Sequence, residues 1–506
     1  MHAKPLLFII GLVSFLSISM WTPPVIISTH PDNISYANSW PEMAGDAEGN
    51  SYVVWQGYDG NDEEIYWVRV DAEGTPGQVQ KVSIHPDSLD TNDWRPQIAV
   101  DGSGNSYITW SGSDGNDSEV YWVKIDEKGI PDTIQKISTF EDDIELNDSS
   151  PHIAADSEGN TFVTWGGSDG TNIGIYWVKI DTEGVPCRIQ KISNHPDNKT
   201  CCNYDPHIAI DASGNSYVVW HGCDKEECWK EPGDLEIYWV KVNSEGVPGT
   251  VRKIPPTSPD NINIMAMEPQ LAVDAQGTSY IVWSGMSEGS HDIYWVKIDR
   301  SGELGTSQKI QDYPDSGYDD YNPRIVAKSG ALYITWENFD KNDYDAYWVM
   351  INASGIQGEV QKISNYRNSS AYDDGLPQIE VDSSGNSYIV WEKFNRKPAE
   401  QFDQRILWVK IDTEGNLGKI SDISSRQRKH FDWNPQIAVD AEGHSYVIWL
   451  GRVESKNDLI FYTSRLPNPT LSTALTVTIP LIAIITIIVA LACRKFRKKP
   501  VIKTNL

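Results

Sequence analysis

From about residue 25 to residue 465 the chain alternates short apolar runs with polar turns, and within the runs the alternation has a period of two rather than 3.6. The stretch PQIAVDGSGNSYITWSGSDGNDSEVYWVKIDEKGIPDTIQKIS, which begins at Pro96, predicts four strands: 97–101, 106–110 after a Gly104-Asn105 turn, 120–126 after a polar loop, and 134–138. We call them a, b, c and d. The unit recurs: Trp55, Trp110, Trp165, Trp220, Trp283, Trp336, Trp391 and Trp449, each in a strand b, are spaced 55, 55, 55, 63, 53, 55 and 58 residues apart. Four short strands per repeat of this length is the pattern of a propeller blade, so the sequence predicts an all-β, eight-bladed β-propeller of four-stranded blades.

The ends predict how the ring closes. Val25 to Ser28 and the following Thr-His-Pro-Asp match the strand d and d–a loop of other copies, such as Val82-Ser83-Ile84-His85-Pro86-Asp87, whereas the eighth copy stops after strand c. The N-terminal strand is therefore expected to complete the last blade and leave no open edge. Taking strand a as innermost, short uniform a–b and c–d turns share one face, and long, variable b–c and d–a loops share the other. The long-loop face is where a partner is expected.

The segment SDGNDSEVYWVKIDEKG resembles the TolB-type propeller repeat, and VDGSGNSYITW resembles the Asp-Gly-Asn propeller repeats of secreted bacterial and archaeal proteins. Both are structural motifs and imply fold alone. Asp156-Ser-Glu-Gly159-Asn-Thr161-Phe162 is one residue longer between Asp and Gly than the sialidase Asp-box and is not one.

Two apolar segments outside the repeats set the expected topology. Lys4 and the run 6–18 read as a secretory signal, residues 1–20. Residues 471–493 carry no charge over 23 positions, enough to span a bilayer as one C-terminal transmembrane helix, and the basic tail 494–506 is expected to stay inside. The ectodomain then covers 21–466, with a linker at 467–470, as a single-pass protein of the cell membrane. The formal charge is −29, and seven of the 42 basic residues lie in the two flanks, so the body is more acidic still. Such a surface repels phosphate backbones and excludes nucleic acid as the expected partner.

Candidate chemistry lies on the long-loop face. Glu42, Gln97, His152, His207, Gln270, Arg324, Gln378 and Gln436 each follow a strand-a proline and are expected to ring the channel mouth, where they serve either a ligand or the strand ends. Trp94, Tyr204, Tyr321 and Trp433 stand two residues ahead of that proline and suit a sugar ring or a protein side chain, or packing between blades. The b–c loops holding Asp59, Asn61, Asp114 and Asn116 are dense enough in oxygen for calcium, with a solvated turn as the alternative; no other cofactor is indicated. Cys201, Cys202, Cys223 and Cys228 cluster on one face of the fourth blade, and two disulfides among them are expected, connectivity open. Six Asn-x-Ser/Thr sequons, among them Asn116-Asp-Ser and Asn147-Asp-Ser, permit glycosylation. The leading expectation is a non-catalytic surface protein that binds an extracellular protein or glycan; the alternatives are a membrane-anchored glycoside hydrolase and a structural envelope component.

Overall fold

The computed structural model describes residues 20–29, 37–84, 91–139, 147–168, 170, 172–194, 202–223, 235–255, 265–287, 289–311, 319–366, 369–395, 403–424, 430–453 and 458–466. It resolves into two units, Pro23–Ser464 and the residues outside that range. In the outer unit Met20 pairs antiparallel with Leu466 and Trp21 with Arg465. The predicted signal up to residue 19, linker 467–470, span 471–493 and basic tail lie outside the described residues. Among the described residues no helix is long and apolar enough to cross a membrane.

The unit Pro23–Ser464 is an eight-bladed propeller, eight antiparallel sheets each in the order a-b-c-d. Blade 2 is representative: Asp93–Val100, Ser106–Ser113, Ser118–Ile125 and Gln135–Lys136. Each strand a touches the strands a on both sides, from Asn38–Gly45 round to His430–Val439 and back, so the a strands line the axis. Strand a begins ahead of the proline, several residues before the position that alternation predicts, for a reason that belongs to the site.

The strand-b tryptophans carry the core. Trp110 is fully buried and stacks on Tyr121 of its own strand c at 5.8 Å, and the pattern repeats to Trp449 on Phe461 at 5.9 Å, except in blade 7, where Trp391 stands opposite Leu407. Tyr52, Val54, Ile65 and Trp67 of blade 1 pack with Ile108, Trp110, Tyr121 and Val123 of blade 2, so the apolar faces of neighbouring blades bury each other. A buried indole needs an acceptor. Strand a supplies one: Asp93 Oδ1 accepts from Trp110 Nε1 at 2.7 Å, and Asp148, Asn203, Asp374 and Asp432 do the same for Trp165, Trp220, Trp391 and Trp449.

The Asp-Gly-Asn turns serve the fold. Asp101 Oδ1 accepts from the Ser103 and Asn105 amides, while Oδ2 accepts from Asn105 Nδ2 and from the Tyr107 hydroxyl at 2.8 Å, tying turn to strand b. Gly104 sits at φ 82°, and a Cβ there would stand 2.8 Å from the Tyr52 hydroxyl of the preceding blade.

The ring closes as the ends predict. Val25 pairs with Tyr462 and Ile26 with Phe461, the Ile27 amide donates to Ile460 O at 2.9 Å, and the Ile460 amide donates to Ser28 Oγ at 2.9 Å. Ser83 and Ser138 play the part of Ser28 for the Ile65 and Val120 amides in blades 1 and 2. Asn38 Nδ2 of blade 1 then donates to Asp458 O of blade 8 at 2.6 Å.

Candidate functional site

All eight a strands carry the same irregularity. Pairing with strand b slips between the residue two before the proline and the residue after it, as between Trp94, opposite Ser111, and Gln97, opposite Thr109. The residue inside the slip is left-handed in every blade: Trp40, Arg95, Ser150, Asp205, Glu268, Asn322, Leu376 and Asn434 have φ between 46° and 55°. Only Asp and Asn adopt that region readily, and a following proline disfavours the right-handed alternative. Side chains from the blade before hold several of these amides: Ser150 N donates to Ser111 Oγ at 3.2 Å, Leu376 N to Glu337 Oε2 at 2.9 Å and Asn434 N to Glu392 Oε2 at 3.2 Å. The bulge restores the register one residue late, so the residue after the proline faces the axis in every blade.

That inner ring is a connected polar lining. The His152 and His207 rings lie 4.6 Å apart, the Gln270 amide meets His207 Nε2 at 3.3 Å, and Arg324 Nε donates to Gln378 Oε1 at 3.2 Å. The Ile208 amide donates to His152 Nδ1 at 3.4 Å. Burial pushes Glu42 up to about 7, against the opposing pull of Arg324 and of a hydrogen bond from Gln97. Burial also takes His152 down to about 4, and takes His207 well below the usual range with help from His152, Arg324 and His221. Both imidazoles are therefore neutral at pH 7. Arg324 is itself disfavoured by burial and supported by Glu268, Glu42 and Glu337.

Around the mouth the charge is lopsided. Blades 4 to 7 contribute Asp205, Glu268, Glu337 and Glu392, with His221 held by burial below its usual range against the pull of Asp205 and Glu268. Burial raises Glu337, and raises Glu392 to about 7, despite the amides that Glu337 and Glu392 accept. On the other side Trp40 is 52% exposed, with the Arg95 guanidinium 5.5 Å from its ring and Arg95 Nη1 donating to Ser150 Oγ at 2.9 Å.

The candidates from sequence distribute as follows. Gln97, His152, His207 and Arg324 join the inner ring. Trp94, Tyr204, Tyr321 and Trp433 stand half-buried just ahead of the left-handed residue: Tyr204 lies 6.0 Å from the His221 ring, Tyr321 lies 4.7 Å from His291, and Arg452 covers Trp433 at 5.8 Å. Arg95, Glu268, Glu337 and Glu392 escaped the sequence reading. The column after the strand-b tryptophan reads Gln56, Ser111, Gly166, His221, Ser284, Glu337, Glu392 and Leu450, and its two adjacent glutamates are a signal a column-by-column comparison finds.

The loops expected to suit calcium already contain a cation. Asp59, Asp62 and Glu64 present ligand atoms within 4.8 Å of one another, as do Asp114, Asp117 and Glu119. Lys81 Nζ lies 3.1 Å from Asp59 and also bonds Glu64, while Lys136 Nζ lies 2.9 Å from Asp114 and bonds Glu119. Asn61 and Asn116 add backbone amides to Asp59 and Asp114 at 2.9 and 3.0 Å, and their exposed side chains are not part of either carboxylate group. A calcium ion would have to displace a lysine from these loops. Among the cysteines, Cys202 and Cys223 stand opposite one another in the antiparallel register. No disulfide joins Cys202 to Cys223, and the other two cysteines expected to bridge, Cys201 and Cys228, lie outside the described residues.

No family model matches this chain, and no curated protein matches it. Solved structures similar to it include the β-propeller domain of the trilobed protease from Pyrococcus furiosus, at 11% identity and TM-score 0.43 over 78% of this chain and 97% of that one. An ulvan lyase of a new polysaccharide lyase family matches at 12% identity and TM-score 0.44, over 77% of this chain and 94% of its own. A protein of unknown function from Dyadobacter fermentans matches at 9% identity and TM-score 0.41, over 88% and 98%. At these scores the likeness says nothing of ligand or chemistry.

Proposed function

We propose that this chain is a cell-surface recognition protein, exported by residues 1–20, held by a single span at 471–493 with its C-terminus inside, whose outer channel mouth binds an extracellular protein or glycan without turning it over. One observation carries the reading. Positions that serve the fold hold the same residue in blade after blade, such as the strand-b tryptophan and the strand-a proline. The left-handed residue and the residue after the proline have one backbone geometry in eight blades, yet they hold Trp, Arg, Ser, Asp, Glu, Asn, Leu and Asn in the first ring and Glu, Gln, His, His, Gln, Arg, Gln and Gln in the second. A constant frame with a changing set of side chains is what a recognition surface requires, and an exposed tryptophan beside an arginine is the usual composition of an anchor.

The test is binding of the purified full chain to arrays of glycans and surface proteins, with and without chelator. A selective ligand whose affinity falls about tenfold or more in Trp40→Ala and in Arg324→Gln is expected. Binding that ignores both substitutions moves recognition elsewhere, and no binding at all favours the envelope component.

A second reading, a membrane-anchored glycoside hydrolase, is favoured by Glu337 and Glu392. They are carboxyls of raised proton affinity in adjacent blades, with Arg324 acting on Glu337. Against it, both already accept backbone amides of left-handed residues. Release of new reducing ends from a polysaccharide panel, abolished in Glu337→Gln, decides for the enzyme.

A further inference from the structure

The seven c–d turns of blades 1 to 7 are built alike. In each, the fifth residue donates its amide to the side-chain oxygen of the first: Thr75 to Asp71, Ile130 to Asp126, Val185 to Asp181, Val247 to Asn243, Glu303 to Asp299, Ile356 to Asn352 and Asn416 to Asp412, all between 2.7 and 3.0 Å. The backbone of the fifth residue serves every turn, Thr, Glu and Asn occupy the place in three copies, and of these Asn416 adds its side-chain amide to Asp412 Oδ2 at 2.9 Å. In the other four it is Ile130, Val185, Val247 or Ile356, with exposures of 59, 59, 56 and 64%. The fold does not ask for an aliphatic side chain there. Three of the four stand in consecutive blades, which sets them on one arc of the short-turn face.

The chain leaves the propeller on that same face. Ser464, the last residue of the unit, lies beside the c–d turn of blade 1, its Oγ 3.3 Å from the place a Cβ would take on Gly74. Six residues, 465–470, separate it from the uncharged segment that begins at Leu471. Fully extended they reach at most about 20 Å.

We infer that the short-turn face rests on the lipid surface, with Ile130, Val185, Val247 and Ile356 entering the interfacial layer. This rests on the reading of 471–493 as a membrane span. The charge narrows the lipid: Glu127, Glu183 and Glu245 lie in the same turns, but Lys128 stands beside them and Lys124 and Lys241 donate to Thr182 O and Arg300 O of neighbouring turns, so the face carries both signs and suits a zwitterionic headgroup. Burying each tip in the interface removes apolar surface from water, which exposure in a free ectodomain leaves unsatisfied.

The experiment uses the full chain reconstituted into phosphatidylcholine vesicles. In a Cys187→Ser background, which removes the exposed cysteine of this face, single cysteines replace Ile130, Val185, Val247 or Ile356, with Asn116→Cys on the opposite face as control. Each carries an environment-sensitive fluorophore, and the background labelling is subtracted. The expected result is a blue shift and quenching by headgroup-proximal spin-labelled lipid at the four turn positions and not at the control. Equal, unshifted emission at all five positions overturns the inference. A blue shift that grows with protein density and is not quenched by the lipid assigns the arc to a second copy of the chain and also overturns it. Flotation separates the two readings: a chain that fails to float with vesicles loses the membrane span and this inference together, whereas a chain that floats with unquenched turns loses only the inference.

Discussion

Blade 5 omits the acceptor that most other blades place beneath the strand-b tryptophan. Ala266 stands where blade 4 has Asn203, and among the described residues Trp283 Nε1 finds no partner. The room is already present, since Gly285 faces Ala266 in the register just as Gly222 faces Asn203. Ala266→Asn is expected to stabilise the chain by about 1 kcal/mol, read from the urea midpoint; no change would mean that the indole is satisfied some other way. Titratable residues make a second prediction. Burial raises Asp148 to about 8 and Asp374, Glu380, Glu392 and Glu42 to about 7. Each binds more protons folded than unfolded between its ordinary value and its raised one, so stability falls as pH rises through that window. His152 and His207, lowered by burial, oppose this below about pH 6.5. Asp101, Asp211 and Asp382 are lowered on balance: burial works against the charge, but the turn hydrogen bonds from Asn105, Asn215 and Asn386 outweigh it. Their contribution is lost as pH falls below the ordinary carboxylate range. The raised carboxyls, which also include Glu64 at about 7 and Glu337, outnumber the lowered histidines His152, His207 and His221, so the urea midpoint is expected to be higher near pH 5 than at pH 8 and to fall again below about pH 4. A midpoint that rises steadily from pH 5 to pH 8 would contradict this account.

At the scale of elements, the a–b turn separates two costs that glycine avoids. Gly104 has φ 82° and a neighbouring hydroxyl 2.8 Å from its missing Cβ, whereas Gly115 in the b–c loop has φ 96° and nothing within 4 Å. Gly115→Ala is expected to cost only the backbone strain, about 1 kcal/mol, and Gly104→Ala distinctly more, because Tyr52 must also give up its place against Asp46. Equal losses in thermal unfolding would show that the contact between blades yields freely. The strands themselves were legible: β-branched and aromatic residues on a period of two, punctuated by Asp-Gly-Asn, place strand b from Ser106, though it runs three residues past Trp110, and strand c within two residues at each end. Strand a was legible only in its second half. The left-handed residue before each proline breaks the alternation, and a slip of register cannot be seen in a single strand, since it is defined by the partner across the ladder.

For the whole molecule, closure is the feature on which the propeller depends. Ile27 is 1% exposed in the strand that the N-terminus adds to blade 8, and Ile137 is 3% exposed in the corresponding place of blade 2. Ile27→Ala is expected to cost about 2–5 kcal/mol, as much as Ile137→Ala, in urea unfolding. A markedly smaller loss for Ile27 would make the closing strand an accessory rather than a part of the ring. By itself the sequence determined the eight blades, the four strands of each and the strand that joins the ends, because repetition and alternation are written along the chain and each blade is stable only against its neighbours. It also determined that the inner ring would hold Gln97, His152, His207 and Arg324. Only the tertiary structure decided which side chains meet there: the His152–His207 contact, the pull of Arg324 on Glu42 across the axis, the lysines already seated in the acidic loops, and the glutamates that hold left-handed amides of the next blade. Those relations join residues tens to hundreds of positions apart, and nothing in local spacing encodes them until the ring has closed.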